Sequence, residues 1–572
     1  MLLPTAADRS IRLADFSTLT EALDYAAGGE TGLTLHSLRG EPVEALSYKR
    51  LREEAFAVAA RLYAAGLEPG DRVGLVAETD GDFVRAFFAC QYAGMIPAPL
   101  PLPAPLGGRE PYVAQIGRML EAADAAALLG PATITAWMTE AQQPGLRFVG
   151  ALADLPQAGP ARALPAIAPE GPCYLQFSSG STRFPMGVLV THEAALANAA
   201  AIVRHGLQVR PEDRAISWLP LYHDMGLVGF LLAPLTCQMS VDLLPTGAFV
   251  RRPLLWLDLI GRNGATISYS PSFGYELCAR RVESGGGAAA FDLSRWRIAG
   301  LGGDMIRTNV PAEFARAFAE AGFSPDAFVA SYGMAEATLA LSFAPLGRGL
   351  ETETLDIDRL EDDRLAVSAQ DGARARAFAR CGPALPGHEL QVRGADGAVL
   401  AERAVGVVFA RGPSLMRGYY RQPDETTRVL SADGWLDTGD LGYLDGGEII
   451  LTGRGKDLMI VNGRNIWPQD LEWTCESEIE RIRSGDTAAF SVPGDEEEQV
   501  ILLVQTRSSD PATREALREE VARVLRLRHS VEADVRLVGS HALPQTSSGK
   551  LSRSKARAAF LAGEFGLEPA GS

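Results

Sequence analysis

The sequence predicts an α/β protein with largely parallel sheets, because short apolar runs alternate with helical runs along most of the chain. RVGLVAE (72–78) has the length of a buried strand, and the helix-like run DFVRAFFACQYAG (82–94) follows it. ATISYSP (265–271) and RIAGLGG (297–303) are further strand-like runs, each ending in proline or glycine. A helix-like run then leads to the strand-like AFVASYG (327–333). Such alternation is typical of parallel strands joined by crossover helices.

The strand-like runs change character from about residue 405. VGVVFARGP (405–413) and GEIILTGRG (447–455) contain glycines at or near their ends and are predicted to be antiparallel strands. Earlier in the chain, the proline-rich stretch 98–108 is predicted to be a stiff surface loop.

A separate, smaller domain is predicted at the C-terminal end. AAFSVP and VILLVQTR are strand-like, and REALREEVARVLRLRH has the periodicity of an amphipathic helix. We therefore predict one domain over residues 1–453 and a second over residues 454–572, joined by a hinge near 453–458.

Composition argues against several classes of protein. The 572 residues carry a net charge of −17 without a long basic run, so no nucleic-acid partner is expected. Six scattered cysteines predict reduced thiols in a cytoplasmic protein rather than zinc ligands or disulfides. Asp8 and Arg9 interrupt the apolar N-terminus, so no signal peptide is predicted. The longest apolar stretch, residues 225–237, is shorter than the ~20 residues of a membrane span.

A loop rich in hydroxyls and glycine follows an apolar strand in YLQFSSGSTRFPMGVLVTH (174–192). Backbone N–H and side-chain O–H groups in such a loop can cradle phosphate oxygens, and glycine permits close approach. The residues concerned are Ser178, Ser179, Gly180, Ser181 and Thr182. A flexible Ser/Gly linker is the alternative, and the loop is not a Walker loop because no G-K-[ST] follows.

Two acidic motifs lie further along the chain. SYGMAEAT (331–338) places Glu336 after a strand, and a carboxylate near a phosphate loop suits Mg²⁺. The alternative is an acid favoured by a helix dipole. GWLDTGDLGYL (434–444) carries Asp437 and Asp440 in a predicted turn, and turn formation by itself is the alternative explanation for both acids.

Lysine is rare in this chain, where 50 of the 54 basic residues are arginines. The lysines are Lys49, Lys456, Lys550 and Lys555. A position that keeps lysine is expected to need a compact ammonium on a flexible stem. Lys550 follows a glycine in the polar loop LPQTSSGKLSR (543–553), and its alternative role is that of a surface lysine.

Taken in this order, the motifs resemble those of the superfamily that contains acyl- and aryl-CoA synthetases, peptide-synthetase adenylation domains and firefly luciferase, over about residues 45–555. Within it, the chain looks most like the fatty acyl-AMP ligases. SWLPLYHDMGLVG (217–229) matches their pattern. The loop reads S-T-R-x-P-x-G where most relatives have S-T-G-x-P-K-G, so Arg183 and Met186 replace the usual glycine and lysine.

An insertion near residues 345–376 also fits the acyl-AMP ligases. The 44 residues between Glu336 and Cys381 exceed the corresponding gap in acyl-CoA synthetases. Alternating polar and apolar residues followed by a charged helix-like run predict an ordered element. We expect it to pack against the N-terminal region and to restrict the access of CoA.

The resemblance implies a large N-terminal region of two α/β subdomains and a small β-barrel-like subdomain, with a smaller mobile α+β C-terminal domain. It implies that a fatty acid attacks the α-phosphorus of ATP, with Mg²⁺ bound, and that an acyl carrier protein accepts the acyl group. The nearest alternative is an acyl-CoA synthetase. Others are an amino-acid adenylation domain and a non-catalytic lipid-binding or interaction protein on the same scaffold.

The resemblance also assigns roles to single residues. Lys550 would contact the carboxylate and the α-phosphate, Glu336 and Thr182 would hold Mg²⁺, and His223 would lie at the acyl entrance. Lys456 would mark the hinge. Tyr332 would stack on adenine, and Asp440 and Arg454 would bind the ribose. The residues expected to contact the nucleotide, apart from the phosphate loop, are Gly302, Gly303, Asp304, Ser331, Tyr332, Gly333, Asp440 and Arg454.

A hydrocarbon tunnel is predicted beside the nucleotide. Met225, Phe230, Tyr269 and Phe273 are its expected lining. The alternative is that all four are ordinary core residues.

Overall fold

The computed structural model describes residues 2–5, 15–103, 108–159, 162–177, 185–285, 287–461, 464–493, 498–545 and 551–565. Strands up to residue 343 are β1 (Gly32–His36), β2 (Pro42–Ser47), β3 (Arg72–Val76), β4 (Ile96–Leu100), β5 (Ala125–Leu129), β6 (Phe148–Gly150), β7 (Pro172–Phe177), β8 (Gly187–Thr191), β9 (Arg214–Ser217), β10 (Ser240–Leu243), β11 (Ile267–Ser270), β12 (Ile298–Leu301), β13 (Phe328–Gly333) and β14 (Ala340–Phe343).

The α-helices in the same part of the chain connect these strands. They are α1 (Leu19–Ala26), α2 (Tyr48–Ala64), α3 (Gly81–Ala93), α4 (Arg109–Ala123), α5 (Thr135–Glu140), α6 (His192–Ala201), α7 (Asp224–Leu227), α8 (Ala233–Thr236), α9 (Thr246–Arg251), α10 (Leu254–Asn263), α11 (Ser272–Gly285) and α12 (Asn309–Ala317). Helix α3 begins where Asp80 accepts a hydrogen bond from Phe83 N at 2.8 Å, and ends at Gly94 with φ of 67°.

The largest sheet has eight strands in the order β14-β13-β12-β11-β9-β10-β1-β2. Its inner neighbours are parallel, while β2 and β14 run antiparallel to the strands beside them. The prediction of an α/β fold with largely parallel sheets is therefore confirmed. In open parallel sheets, ligands bind at the carboxyl ends of the strands. Ser331–Gly333 and Gly302–Asp304 lie at that edge, at the end of β13 and just after β12.

A second parallel sheet has the order β4-β3-β5-β6. Its edge strand corrects the prediction of a surface loop over 98–108, because residues 98–100 belong to β4 and are buried. Pro97 and Pro99 are tolerated in β4 because an edge strand needs hydrogen-bond donors on one side only.

The remaining strands are β15 (Thr352–Asp356), β16 (Ala375–Pro383), β17 (Glu389–Arg393), β18 (Gly406–Arg411), β19 (Gly418–Tyr419), β20 (Leu436–Asp445), β21 (Glu448–Arg454), β22 (Met459–Val461), β23 (Arg464–Ile466), β24 (Thr487–Pro493), β25 (Glu498–Gln505) and β26 (Ala533–Val538). The remaining helices are α13 (Ile357–Asp362), α14 (Pro423–Val429), α15 (Pro468–Glu478), α16 (Pro511–His529) and α17 (Arg553–Leu561). Strand β19 joins β7 and β8 in a three-stranded antiparallel sheet.

A six-stranded antiparallel sheet has the order β15-β16-β21-β20-β18-β17. Its strands β18 and β21 were expected, but they do not pair with each other because β20 lies between them. The predicted turn around Asp437 and Asp440 is therefore wrong: both residues lie within β20. Cross-strand pairing overrides the turn tendency of Asp-Thr-Gly-Asp, because Asp437 pairs with Phe409 of β18 and Asp440 pairs with Arg454 of β21. Gly439, with a φ of 69°, lies between them where the register with β18 shifts.

The insertion is ordered, as predicted. Strand β15 pairs with β16, and α13 follows it. Leu355, Ile357 and Leu360 pack with Phe378 and Tyr443 of the six-stranded sheet in one buried cluster.

The C-terminal part has its own three-stranded sheet, β24-β25-β26, and its own core. Leu471 of α15, Leu502 of β25 and Val521 of α16 pack in one cluster that is separate from the main core. The domain boundary at residue 453 stays a prediction. Among the described helices, none combines the length and apolar character needed to cross a bilayer.

Candidate active site

A cavity of about 1160 Å³ opens at the carboxyl edge of the eight-stranded sheet. A smaller cavity of about 190 Å³ adjoins it and shares part of its lining. The predicted residues that line the larger cavity are His223, Gly303, Ser331, Tyr332, Gly333, Glu336, Asp440, Arg454 and Lys456. Residues from β13, β20, β21 and the loop after β9 thus meet around a single space.

Asp440 is held between two other predicted residues. It is the direct cross-strand partner of Arg454, and Arg454 Nε lies 3.3 Å from Asp440 Oδ1. The Tyr332 hydroxyl donates a hydrogen bond to Asp440 Oδ2 at 2.8 Å. Burial raises the pKa of Asp440, and the positive charge of Arg454 opposes that shift. The arrangement holds a hydrogen-bond acceptor at a fixed position in the wall of the cavity.

Glu336 lies just beyond β13 and is fixed by the segment 414–419. The Tyr419 hydroxyl donates to Glu336 Oε1 at 2.9 Å, and Met416 N donates to Glu336 O at 2.8 Å. Thr338 has φ of 69°, a strained value for a β-branched residue, and its hydroxyl donates to Ser414 O at 2.7 Å. Burial raises the pKa of Glu336, and the hydrogen bond from Tyr419 opposes this.

The donor set around Glu336 fits a magnesium–nucleotide complex better than an all-protein metal site. Mg²⁺ is commonly held by one or two carboxylates together with phosphate oxygens and water. No group of three or more His, Cys, Asp or Glu side chains suited to a metal occurs in the described part of the chain. Asp224 raises the pKa of Glu336, so a second carboxylate contributes negative charge there. Thr182, the other predicted ligand, lies outside the described residues.

His223 precedes α7 and lines the cavity. Its Nδ1 accepts a hydrogen bond from Met225 N at 3.3 Å and lies 2.6 Å from Asp224 Oδ1. Helix α7 and the π-helical turn Val228–Leu232 then carry Met225 and Phe230 along an apolar part of the cavity wall. His223 therefore lies between the polar and the apolar lining.

The apolar lobe, as we call the part of the cavity lined by Met225, Phe230, Met239, Tyr269 and Phe343, extends beside the sheet. The ring of Tyr269 lies edge-on to Phe230 at 6.4 Å and to Phe343 at 6.2 Å, measured between ring centroids. All five side chains are at least largely buried. A hydrocarbon chain is the kind of ligand that such a lining accommodates.

Two glycines leave room for aromatic rings that line the apolar lobe. A Cβ on Gly206 would lie 2.9 Å from the Phe343 ring, and one on Gly300 would lie 2.1 Å from the Tyr269 ring. Phe273, in contrast, was predicted to line the tunnel, and this is wrong. It packs edge-on against Trp218 at 5.7 Å, because it sits in the first turn of α11.

Several predicted residues lie outside the described part of the chain. They are Ser178, Ser179, Gly180, Ser181, Thr182, Arg183 and Lys550. Their neighbours border the cavities: Phe177 and Pro185 line the larger one, and Leu551 lines the smaller. Asp304 also lines the smaller cavity, whereas Gly302 is buried beneath Ser331, with an added Cβ 2.9 Å from Ser331 Oγ.

Lys456 lies in a single 3₁₀ turn, Gly455–Asp457, directly after β21. It lines both cavities, and burial together with the charge of Arg454 lowers its pKa. The predicted hinge therefore adjoins the site itself.

Helix α15 of the C-terminal part contacts the N-terminal part of the chain. Arg307 Nη2 lies 2.7 Å from Glu476 Oε2, and Arg376 forms an ion pair with Asp470. Both guanidinium groups lie over the Trp473 ring, at 5.1 and 5.0 Å from its centroid. These contacts hold the C-terminal part over the site in this orientation.

Sequence analysis missed Tyr419, Met239 and Phe343. Tyr419 is one of two adjacent tyrosines in an unremarkable RGYY run, and only the pairing of β19 with β8 brings it to Glu336. Lys555 also lines the larger cavity. The rarity of lysine was a signal for it, although no role was predicted.

The sequence pattern of the family described as AMP-binding enzyme matches residues 33–420, more than half of the chain. The chain belongs to this family. The chain is 66% identical over 568 residues to a Caulobacter vibrioides protein that is provisionally named an acyl-CoA synthetase. The match covers 99% of each chain.

It is also 32% identical over 573 residues to JamA of Moorena producens, which is named a medium-chain-fatty-acid–[acyl-carrier-protein] ligase, with 96% of each chain covered. A solved structure from a study of fatty acyl-adenylate ligases from E. coli and L. pneumophila superposes with a TM-score of 0.92 and 42% identity. That match covers 98% of this chain and all of the other. The mixed α/β fold with a smaller C-terminal domain is shared with these enzymes.

Proposed function

We propose that the protein is a fatty acyl-AMP ligase. The observation that carries the proposal is the continuity of one cavity, in which Glu336, Asp440 and Arg454 at the polar end meet the apolar lobe lined by Phe230 and Phe343. A nucleotide and a hydrocarbon chain can therefore lie end to end, with the reacting carboxylate between them near His223.

In the proposed reaction, a carboxylate oxygen of the fatty acid attacks the α-phosphorus of ATP. The bond from that phosphorus to the bridging oxygen of the β-phosphate breaks, and pyrophosphate leaves with the electron pair. Both reactants are anionic, so positioning and positive charge must supply most of the catalysis. We assign the charge at the reacting atoms to Lys550, and the position of its neighbour Leu551 at the smaller cavity supports this assignment.

The other roles follow the residues around the cavity. Asp440 and Arg454 bind the ribose hydroxyls, Tyr332 packs against adenine, and the loop from Ser178 to Thr182 holds the phosphates. Gly303 and Asp304 border the adenine. Glu336, oriented by Tyr419, would hold Mg²⁺, which neutralises phosphate charge when bound.

In the second step the sulfur of a thiol acceptor attacks the acyl carbonyl carbon and forms a thioester. The bond from that carbon to the phosphate oxygen breaks, AMP leaves with the electron pair, and the thiol gives up its proton to solvent. We propose that this acceptor is the phosphopantetheine thiol of an acyl carrier protein, because JamA, which is 32% identical to this chain, is named as a ligase to such a carrier. CoA is the competing acceptor, favoured by the name of the 66%-identical relative. The ordered insertion, with β15 and α13, favours the carrier.

The decisive experiment separates the products. The purified protein is incubated with ATP, Mg²⁺ and fatty acids of different lengths, with no acceptor, with CoA, or with a phosphopantetheinylated carrier protein. Chromatography with mass detection is expected to find acyl-AMP when no acceptor is present and acylated carrier protein when the carrier is present. Little acyl-CoA is expected when CoA is present. Acyl-CoA as the dominant product would assign the protein to the synthetases.

A lysine series tests the chemistry itself. Lys550→Ala is expected to lower adenylation by ~10²–10³-fold while ATP still binds, as removal of one charge-stabilising group commonly does. Lys550→Arg should restore little, because a planar guanidinium cannot occupy the position of an ammonium. Near-normal turnover in Lys550→Arg would contradict the lysine-specific role. Binding of acyl-AMP mimics without any turnover by the wild type would indicate a lipid-binding protein instead.

A further inference from the structure

The Tyr269 hydroxyl is a buried polar group on the wall of the large cavity. Tyr269 lies in β11, and only 8% of it is exposed. Within the described ranges, no group forms a hydrogen bond of standard geometry with this hydroxyl. In the same ranges, Gln176 Oε1 is the other such atom on the cavity wall, but the Gln176 amide already donates to Tyr222 O at 2.6 Å. Buried hydroxyls nearly always have a partner, so we expect a ligand to supply the partner of Tyr269.

The packing around the Tyr269 ring fixes the position of its hydroxyl. The ring lies over Gly300, its cross-strand partner in β12, where an added Cβ would lie 2.1 Å from the ring. Phe230 and Phe343 contact the ring edge-on from the apolar lobe. The hydroxyl is therefore held at one point of the cavity wall.

That point lies where the apolar lobe meets the nucleotide end of the cavity. Burial raises the pKa of Tyr269, and the Ser331 hydroxyl lies close enough to oppose that shift. Ser331 lines both cavities, and its Oγ donates to Leu301 O at 3.3 Å. The proposed reaction places the reacting carboxylate at this boundary, so the first carbons of the acyl chain would pass the Tyr269 hydroxyl.

The chemistry of the acyl chain at this point decides whether the hydroxyl gains a partner. An unsubstituted hydrocarbon would exclude water from the hydroxyl and leave it without a hydrogen bond, which lowers affinity. An oxygen on the acyl chain would supply that hydrogen bond. A tyrosine hydroxyl both donates and accepts, so a hydroxyl group or a carbonyl oxygen would fit.

We propose that the protein selects fatty acids that carry a hydroxyl or oxo group on one of the first carbons after the carboxyl carbon, and that this group hydrogen-bonds to the Tyr269 hydroxyl. The inference rests on the proposed adenylating function and names the class of acid within it. Sites built to bond a substrate hydroxyl discriminate strongly against the analogue that lacks it, because the protein group is then buried without a partner.

The test compares acids of one chain length that differ only in the position of an oxygen. Calorimetry without nucleotide measures the binding of the unsubstituted acid, the 2-hydroxy and 3-hydroxy acids as separate enantiomers, and the ω-hydroxy acid. The 2-hydroxy or the 3-hydroxy acid should bind about tenfold or more tightly than the unsubstituted acid. The ω-hydroxy acid should bind no better than the unsubstituted acid, because its hydroxyl would enter the apolar lobe.

Two variants test the assignment to Tyr269. Tyr269→Phe should bind the unsubstituted acid at least as well as the wild type and lose the preference for the hydroxy acid. Tyr275→Phe is the control, because the Tyr275 hydroxyl is buried, donates to Gly300 O at 2.9 Å and is not among the groups that line the cavity. This control should keep the preference.

Two results would overturn the inference. One is a wild type that binds the unsubstituted acid as tightly as every hydroxy acid. The other is an equal loss of affinity for all the acids in Tyr269→Phe, which would show that the hydroxyl binds the carboxylate common to them. Binding is measured without catalysis, so a wild type that prefers the hydroxy acid but forms no acyl-AMP would reject the proposed function and not this inference.

Discussion

The Tyr419 hydroxyl donates a hydrogen bond to the Glu336 carboxylate at 2.9 Å, across 83 residues of sequence. This contact ties the two-residue strand β19 to the turn after β13, and both residues are buried. Groups that orient a metal ligand from outside the coordination sphere commonly contribute 10–100-fold to metal affinity.

Tyr419→Phe should therefore raise the Mg²⁺ concentration needed for half-maximal adenylation by about tenfold, with little change in the melting temperature. The matched control is Tyr420→Phe. It removes the hydroxyl of the neighbouring tyrosine and keeps the aromatic ring over which the Arg72 guanidinium lies. Titration of Mg²⁺ at fixed ATP gives both curves. Identical curves for the two variants would show that the contact does not orient Glu336.

The width of the apolar lobe depends on Gly206. An added methyl would lie 2.9 Å from the Phe343 ring, so this ring, which lines the lobe beside Tyr269, would have to shift and change the shape of the lobe. Gly206→Ala should lower kcat/KM for bulky or long acids by about tenfold or more, and affect the shortest active acids much less. Gly247→Ala is the control, because its added methyl meets only Leu38 at 3.7 Å and Gly247 is not among the residues that line the cavity. An equal fall in kcat/KM for all the acids tested would show that Gly206 does not set the width of the apolar lobe.

Much of the fold could be predicted because its signals are local. The strand near 72–78, the strand ending in Gly333 and the helix α16 all appear where periodicity placed them. Strand β4 was missed because proline suggests a loop, yet edge strands tolerate it.

The missed parts of the site depend on long-range pairing. Tyr419 reaches Glu336 only through the packing of β19 on β8, and Phe273 faces Trp218 because of how α11 is rotated on the sheet. No periodicity in one sequence encodes either relationship.

Two buried histidines predict a loss of stability in acid. Burial lowers the pKa of His192 and of His529 to about 4. A folded-state pKa below the unfolded value means that the stabilisation is fully present above about pH 6.5 and is lost as the pH falls toward 4. Each histidine should cost about 2 kcal/mol between pH 7.5 and pH 5.

His192→Asn tests this in the N-terminal part, because the new amide oxygen can still accept the hydrogen bond that Leu19 N donates to His192 Nδ1 at 3.2 Å. Its melting temperature should fall less between pH 7.5 and pH 5 than that of the wild type. His205→Asn, at an exposed position, should keep the full dependence. The same dependence in all three proteins would contradict the assignment.

The turn at Lys456 should control transfer rather than adenylation. A domain that reorients between two steps needs backbone torsions free to change, and proline restricts φ. Lys456→Pro should form acyl-AMP at the rate of Lys456→Ala, which has the same loss of side-chain charge, and load the acceptor at least several-fold more slowly. Single-turnover measurements separate the two steps. Equal slowing of transfer in both variants would assign the effect to the missing ammonium.

The insertion contacts the C-terminal part as well as the six-stranded sheet. Glu361 of α13 is buried, forms an ion pair with Arg374, and accepts a hydrogen bond from Arg464 Nη2 at 2.9 Å. Asn465 Nδ2 donates to the Glu361 carbonyl at 2.8 Å. Arg464 and Asn465 belong to β23, so α13 is tied directly to a strand of the C-terminal part.

Glu361→Gln should loosen this contact and raise the ratio of acyl-CoA to acyl-AMP several-fold, because Arg374 and Arg464 lose their buried partner and keep only the exposed Asp358 as a counter-charge. The control is Asp362→Asn, which removes an exposed charge from the same helix. Excision of residues 350–369 is the larger change, but it removes β15 from its sheet and uncovers Phe378 and Tyr443, so circular dichroism must first establish that the deleted protein folds. Both products are followed by chromatography. Abundant acyl-CoA from the wild type would show that the insertion does not restrict the access of CoA. If a folded Glu361→Gln variant gives the same ratio of acyl-CoA to acyl-AMP as the wild type, the contact made by α13 plays no part in that restriction.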